Sequence, residues 1–103
     1  MAELLTDDQI DLAIRDHLPQ WKVVDKELVR EVKAPTFLDG IRLVATVAQL
    51  AESMNHHPDI DIRWRTTRWL LTTHDAGGLT QLDIELAHRI SDAARAEGAS
   101  VGG

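Results

Sequence analysis

Three of the five histidines fall between Glu52 and Asp83, and two of them are adjacent, in His56-His57-Pro58. Histidine is the side chain whose ordinary pKa lets it both give and take a proton near neutral pH. His56, His57 and the later His74 are therefore candidates for general acid–base chemistry. Two carboxylates bracket the set, Glu52 one helical turn before His56 and Asp83 beyond His74. Either could orient an imidazole. Asn55, next to the pair, offers both a donor and an acceptor to a ligand.

Each residue also has a plainer local reading. His56 and His57 could be linker histidines that cap helix carbonyls, and His74 could hydrogen-bond its own turn. Glu52 could be a boundary carboxylate and Asn55 a helix C-terminal residue. Asp83 could complete a capping box with Thr80. This last role is compatible with an orienting one. Side chains of adjacent residues on an extended segment point in opposite directions. His56 and His57 can thus meet one ligand only if the backbone turns between them or the ligand sits at an edge. Three imidazoles could also hold zinc with an open fourth position, although adjacent ligands are geometrically awkward. With no cysteine in the chain there is no thiolate ligand and no disulfide. Neither a metal nor a cofactor is expected.

The elements that must position these residues can be read from periodicity and turn chemistry. Leu5-Thr6-Asp7-Asp8-Gln9-Ile10 reads as a helix start, with Thr6 as cap and Gln9 completing the box. Pro19 closes that helix. Trp21 to Val24 and Glu27 to Lys33 read as strands joined at Asp25-Lys26, with Val29 breaking the second strand's alternation. Thr36 caps a long helix from Phe37 to about Met54. Its apolar residues make two stripes, Phe37, Ile41, Val44, Ala48 and Ala51 in one, Leu43, Val47, Leu50 and Met54 in the other. So wide an arc exceeds what one sheet face covers and predicts a second partner, either another helix or another subunit.

Pro58 keeps His57 out of helical geometry, so the long helix must stop before it. Asp59 to Arg65 alternates as a half-buried strand, with Ile60, Ile62 and Trp64 in phase. Thr66-Thr67 is expected to turn, and Arg68 to His74 to return with Trp69 and Leu71 inward. Core packing is the expected role of Trp64 and Trp69. Gly77-Gly78 breaks the chain before a last helix capped by Thr80. Arg63, Arg65 and Arg68 read as a solvated hairpin edge, and His17 and His88 as structural or surface residues. The order α-β-β-α-β-β-α predicts an α+β fold, a two-layer sandwich with a four-stranded antiparallel sheet and helices on one face. Residues 1–97 make one expected domain and 98–103 a flexible tail.

Composition narrows the partners. The 103 residues carry a formal net charge of −6, which argues against nucleic-acid binding through a basic face. It offers nothing to anionic membranes. The first residues lack the basic and apolar regions of a signal peptide, and no apolar run is long enough to span a bilayer. A cytoplasmic protein is expected.

The spaced set resembles the pterin-4a-carbinolamine dehydratases: Glu52, three residues, His56-His57-Pro58, five residues, Trp64, nine residues, His74, eight residues, Asp83. Thr73-His74-Asp75-Ala76-Gly77-Gly78-Leu79-Thr80 is similar to that family's turn before its last helix, and the likeness spans roughly residues 20 to 95. The resemblance implies the same α+β architecture. It also implies dehydration of 4a-hydroxytetrahydropterin to quinonoid dihydropterin and water, a step of tetrahydrobiopterin recycling. On that reading His56 and His74 are the proton-transfer pair. His57 binds and polarises the substrate, or protonates the leaving oxygen of the opposite stereoisomer. Glu52, Asn55 and Asp83 bind or orient, and a homodimer or homotetramer is implied. Ala76 and Leu82 stand where animal members often have Cys and Arg, and Asn55 where they have Asp. These departures leave every histidine in place. They do put in doubt the transfer of the animal members' second role, with a homeodomain transcription factor. The competing reading is a non-catalytic protein-binding or assembly module on the same fold.

Overall fold

The structure is a computed structural model and describes residues 2–98. The order is α1 (Asp7–His17), β1 (Lys22–Val24), β2 (Glu27–Lys33), α2 (Phe37–Met54), β3 (Asp59–Arg63), β4 (Thr66–Leu71) and α3 (Gln81–Ala96). A single 3-10 turn, His74–Ala76, lies between β4 and α3. The four strands form one antiparallel sheet in the order β1-β2-β4-β3. The expected α+β fold and element order are therefore present. Of the expected tail, only Gly98 falls within the described residues.

All three helices start at threonine caps. The Thr6 and Thr36 hydroxyls accept from Gln9 N and Asp39 N, each at 3.1 Å. Thr80 accepts from Leu82 N, and Asp83 returns the bond to Thr80 N. Capping satisfies backbone donors that the helix itself leaves unpaired. One core joins the layers. Leu28, Val32, Trp69 and Leu71 of the sheet pack with Leu43 and Val47 of α2 and Leu86, Ala87 and Ile90 of α3. Fully burying a Leu, Val or Ile contributes roughly 1.5–3 kcal/mol each, so this cluster is the main source of stability.

The register explains Val29. It pairs with Lys22 on one side and Leu70 on the other, and so lies on the sheet face opposite Leu28 and Arg30. It is buried there all the same. The long helix uses its two stripes differently. Leu43 and Val47 of the second stripe are completely buried and Met54 packs against the same core, whereas Leu50 is half-buried. Phe37 remains 46% exposed, and Ile41 and Val44 are half-buried.

The β3–β4 hairpin differs from expectation. Its turn is Trp64-Arg65, not Thr66-Thr67, and Arg63 pairs with Thr66. Thr66 and Thr67 instead begin β4. Two-residue hairpin loops favour left-handed backbone because it matches the strand twist, and Trp64 has φ 56°. The consequence is that Trp64 leaves the strand's phase. It is 73% exposed, with the Arg65 guanidinium 5.1 Å from its ring centre, and is not a core residue. Trp69 is the buried one, and its indole N–H donates to Thr67 Oγ1 at 2.8 Å. The turn is tied to the start of α2 by Ala34 N donating to Arg65 O at 2.9 Å.

Candidate active site

The end of α2 sets up the histidine pair. Asn55 is the helix C-cap in left-handed conformation, φ 49° and ψ 43°, and His56 N donates back to Ala51 O. Such a cap bends the chain sharply and satisfies late helix carbonyls. The bend sends the two imidazoles different ways. His56 turns inward and is buried, whereas His57 stays largely exposed.

Inside, His56 Nε2 lies 2.6 Å from Asp83 Oδ1. Asp83 is fully buried at the first turn of α3. Its other oxygen accepts from Thr73 Oγ1 at 2.7 Å and from Thr80 N at 2.9 Å. A carboxylate only accepts, so Nε2 of His56 carries the hydrogen that faces Asp83, and in the neutral ring Nδ1 is the acceptor. Both local readings of Asp83 thus hold together, as capping residue and as histidine partner. Outside, His57 Nε2 meets Glu52 Oε2 in a short contact on the protein surface.

His74 directly follows Thr73, the residue that anchors Asp83. The strand stops at Leu71, earlier than expected, and His74 opens the 3-10 turn. Thr73 pins both ends of that loop. Its N–H donates to Gly78 O, and its carbonyl accepts from Ala76 N and Gly77 N. Gly77, at φ 77°, supplies the left-handed step that closes the loop. His74 is exposed and lines a cleft of about 570 Å³ with Asp25, Lys26, Glu27, Thr72, Gly77 and Gly78. The β1–β2 turn therefore forms one wall of the space that His74 faces.

Of the residues singled out from sequence, His56 and Asp83 are in direct contact, His74 adjoins their network through Thr73, and Glu52 and His57 form a separate surface pair. Asn55 contributes through its backbone conformation. Spacing alone does not place Thr73 or the Asp25–Glu27 turn at the site. A threonine at a strand end has no distinctive spacing, and contact between the β1–β2 turn and the His74 loop depends on tertiary packing. Among the described residues no group of three His, Asp or Glu side chains is arranged to hold a metal ion. No helix among them is long and apolar enough to cross a membrane.

A buried imidazole–carboxylate contact is an arrangement able to exchange protons, and here it sits on a two-layer α+β sandwich. The family model described as "Pterin 4 alpha carbinolamine dehydratase" matches residues 3–93. A Mycobacterium avium protein named pterin-4-alpha-carbinolamine dehydratase is 53% identical over 88 residues, covering 85% of this chain and 93% of the relative. A Nocardia farcinica protein of the same name is 53% identical over 94 residues, covering 91% and 98%. The crystal structure of a "transcriptional coactivator/pterin dehydratase" from Brucella melitensis superimposes with a TM-score of 0.84 at 30% identity, over 87% of this chain and 97% of that one. The chain belongs to the pterin-4-alpha-carbinolamine dehydratase family, a family of hydro-lyases.

Proposed function

We propose that this protein dehydrates a 4a-hydroxytetrahydropterin to the quinonoid dihydropterin and water, as a step in tetrahydrobiopterin recycling. The observation that carries the reading is the 2.6 Å contact between His56 and buried Asp83, joined by Thr73 to the loop bearing His74. Hydroxide is a poor leaving group, so the 4a oxygen must gain a proton as its bond to carbon breaks. The electron pair comes from the adjacent ring nitrogen, which loses its proton and becomes doubly bonded to C4a. One acid and one base complete the reaction, and water leaves with no change of oxidation state.

His56 and His74 are the proton-transfer pair in this proposal. Asp83 fixes the tautomer of His56, so Nδ1 is the atom through which that ring exchanges a proton with substrate. His57, held by Glu52 at the surface, binds and polarises the pterin or protonates the oxygen of the opposite stereoisomer. Asn55 orients the pair through its cap. General acid–base help of this kind contributes about 10²–10⁴-fold per group.

The active form in this proposal is a cytoplasmic homodimer or homotetramer. Ile60 and Ile62 of edge strand β3 are 37% and 43% exposed, and Phe37 opens a partly uncovered stripe on α2. A second copy would cover both. The direct test is to generate 4a-hydroxytetrahydropterin in situ and follow its decay with and without the protein. A rate equal to the uncatalysed decay would leave the competing protein-binding reading in its place, for which exposed Trp64 is the first contact to examine.

A further inference from the structure

We infer that Thr73 is a positioning residue whose hydroxyl aims Asp83 at His56 and thereby fixes the tautomer through which His56 exchanges protons with the pterin. The proposal deepens the dehydratase reading and rests on it for the role of His56. It starts from an accounting of hydrogens. Thr73 Oγ1 lies 2.7 Å from Asp83 Oδ2 and 2.8 Å from Thr80 Oγ1. A threonine hydroxyl has one hydrogen, and Asp83 as a carboxylate has none to give. The Thr73 hydrogen therefore points to Asp83. The hydrogen between the two threonines must then come from Thr80. Thr80 Oγ1 in turn accepts from Leu82 N at 3.2 Å.

Every hydrogen in the chain Leu82 N–H, Thr80 O–H, Thr73 O–H runs toward Asp83. Buried hydrogen bonds aligned in this way polarise one another, and each leaves the next a better donor. Thr73, Thr80 and Asp83 are all buried, so water is a poor substitute for any of them. With Oδ2 held by Thr73 O–H and Thr80 N–H, Oδ1 is directed at Nε2 of His56. Backbone bonds of the same Thr73 pin the His74 loop. One residue thus references both proposed proton-transfer groups to a common anchor.

A purely structural threonine would behave differently. Valine has the same shape, and replacing a buried hydroxyl by a methyl group is compatible with retained packing. The Thr73→Val protein isolates the hydroxyl, and Thr73→Ser restores it without the methyl group. Ring nitrogen NMR of ¹⁵N-histidine-labelled protein reads the tautomer of His56 directly, and a dehydration assay reads the rate. The wild type is expected to show a single His56 tautomer, hydrogen on Nε2. Thr73→Val is expected to show mixed tautomers and a kcat lowered about tenfold or more with KM within twofold. Thr73→Ser should recover most of both.

A single unchanged tautomer in folded Thr73→Val overturns the proposal, whatever its rate. Should that variant not fold, Thr73→Ala takes its place, where mixed tautomers support the proposal and a single unchanged tautomer overturns it; in the wild type, mixed tautomers or hydrogen on Nδ1 overturn it as well. A tautomer that responds to Thr73 in a protein with no dehydratase activity would support the positioning role and count against the dehydratase reading instead.

Discussion

His56 and Asp83, twenty-seven residues apart in sequence, meet at 2.6 Å in the protein interior. The contact joins the end of α2 to the start of α3. It is made possible by the left-handed cap at Asn55, which reverses the chain so that His56 enters and His57 does not. A carboxylate partner fixes which imidazole nitrogen carries the hydrogen. Here that partner is also the third helical residue of α3, which closes the capping box with Thr80, so one carboxylate serves both the helix and His56.

Substituting the proposed proton-transfer groups should act on the rate more than on binding. His56→Ala and His74→Ala are each expected to slow dehydration by about 10²-fold or more, since each removes an acid or base. His57→Ala should raise KM with a smaller effect on kcat. The double substitution His56→Ala/His74→Ala, folded by circular dichroism yet turning over at the wild-type rate, would show the assignment to be wrong.

Asp83→Asn is a sharper test of the tautomer. The asparagine oxygen can still accept from Thr73 O–H and Thr80 N–H, which leaves its NH₂ group facing His56. Nε2 must then become an acceptor and the hydrogen must move to Nδ1. Stopped-flow assays should show a loss of about 10²-fold with the fold intact, of the order that removing a general acid or base costs. Loss of a charge-assisted buried hydrogen bond should lower stability by about 1.5–3 kcal/mol in urea. A fully active Asp83→Asn protein would mean that the tautomer of His56 does not matter.

Most of this architecture was legible in the sequence because it rests on local chemistry. Thr6, Thr36 and Thr80 cap because their hydroxyls sit before a helical period, and each does so in the structure. Asp25-Lys26 turns where it was expected to. The β3–β4 turn is not legible because alternation carries Trp64 into phase with Ile62. Tryptophan in left-handed backbone has no pattern of its own, and Thr66-Thr67 is as good a turn on paper. The pairing of His57 with Glu52, and not with the buried network, follows from the αL bend at Asn55, which spacing does not encode. The role of Thr73 is not legible in the sequence for a related reason. Its hydroxyl matters only because α3 brings Asp83 beside it.

Arg30 offers a prediction about stability. It is 6% exposed, and its only side-chain hydrogen bond among the described residues is from Nη1 to Ser91 Oγ at 3.1 Å. Nε is buried without a partner. Burial, with a smaller contribution from the Arg95 charge, pushes its guanidinium below the ordinary value. A buried cation lacking a carboxylate is replaceable by an apolar side chain of similar length. Arg30→Met should be neutral or stabilising by up to about 2 kcal/mol in urea titrations. A clear destabilisation would mean that the guanidinium has acceptors, such as ordered water, that the protein alone does not supply.

Metal removal should not affect turnover. The chain has no cysteine, and the described His, Asp and Glu side chains form no three-ligand cluster. Dialysis against a strong chelator is expected to leave the dehydration rate unchanged. A loss restored by zinc would favour the metal reading of the histidines.

Assembly can be separated from folding by choosing residues from the two apolar surfaces. Val47 is completely buried in the core beneath α2, whereas Ile62 on β3 is 43% exposed on an edge strand. Ile60 and Phe37 are exposed to a similar degree. An uncovered apolar row along a free strand edge is an association hazard unless something meets it, and symmetric self-association is the commonest solution. Light scattering of the wild type across a concentration series should therefore give a dimer or tetramer mass. Val47→Asp should unfold the chain, because it buries an unpaired charge in the core. Ile62→Lys should leave the circular dichroism spectrum unchanged and shift the mass toward the monomer, since lysine is a common means of blunting strand edges. A clean monomer mass for the wild type at high micromolar concentration would sink the prediction. An Ile62→Lys protein that keeps the full oligomer mass would move the interface away from β3, to the uncovered stripe of α2.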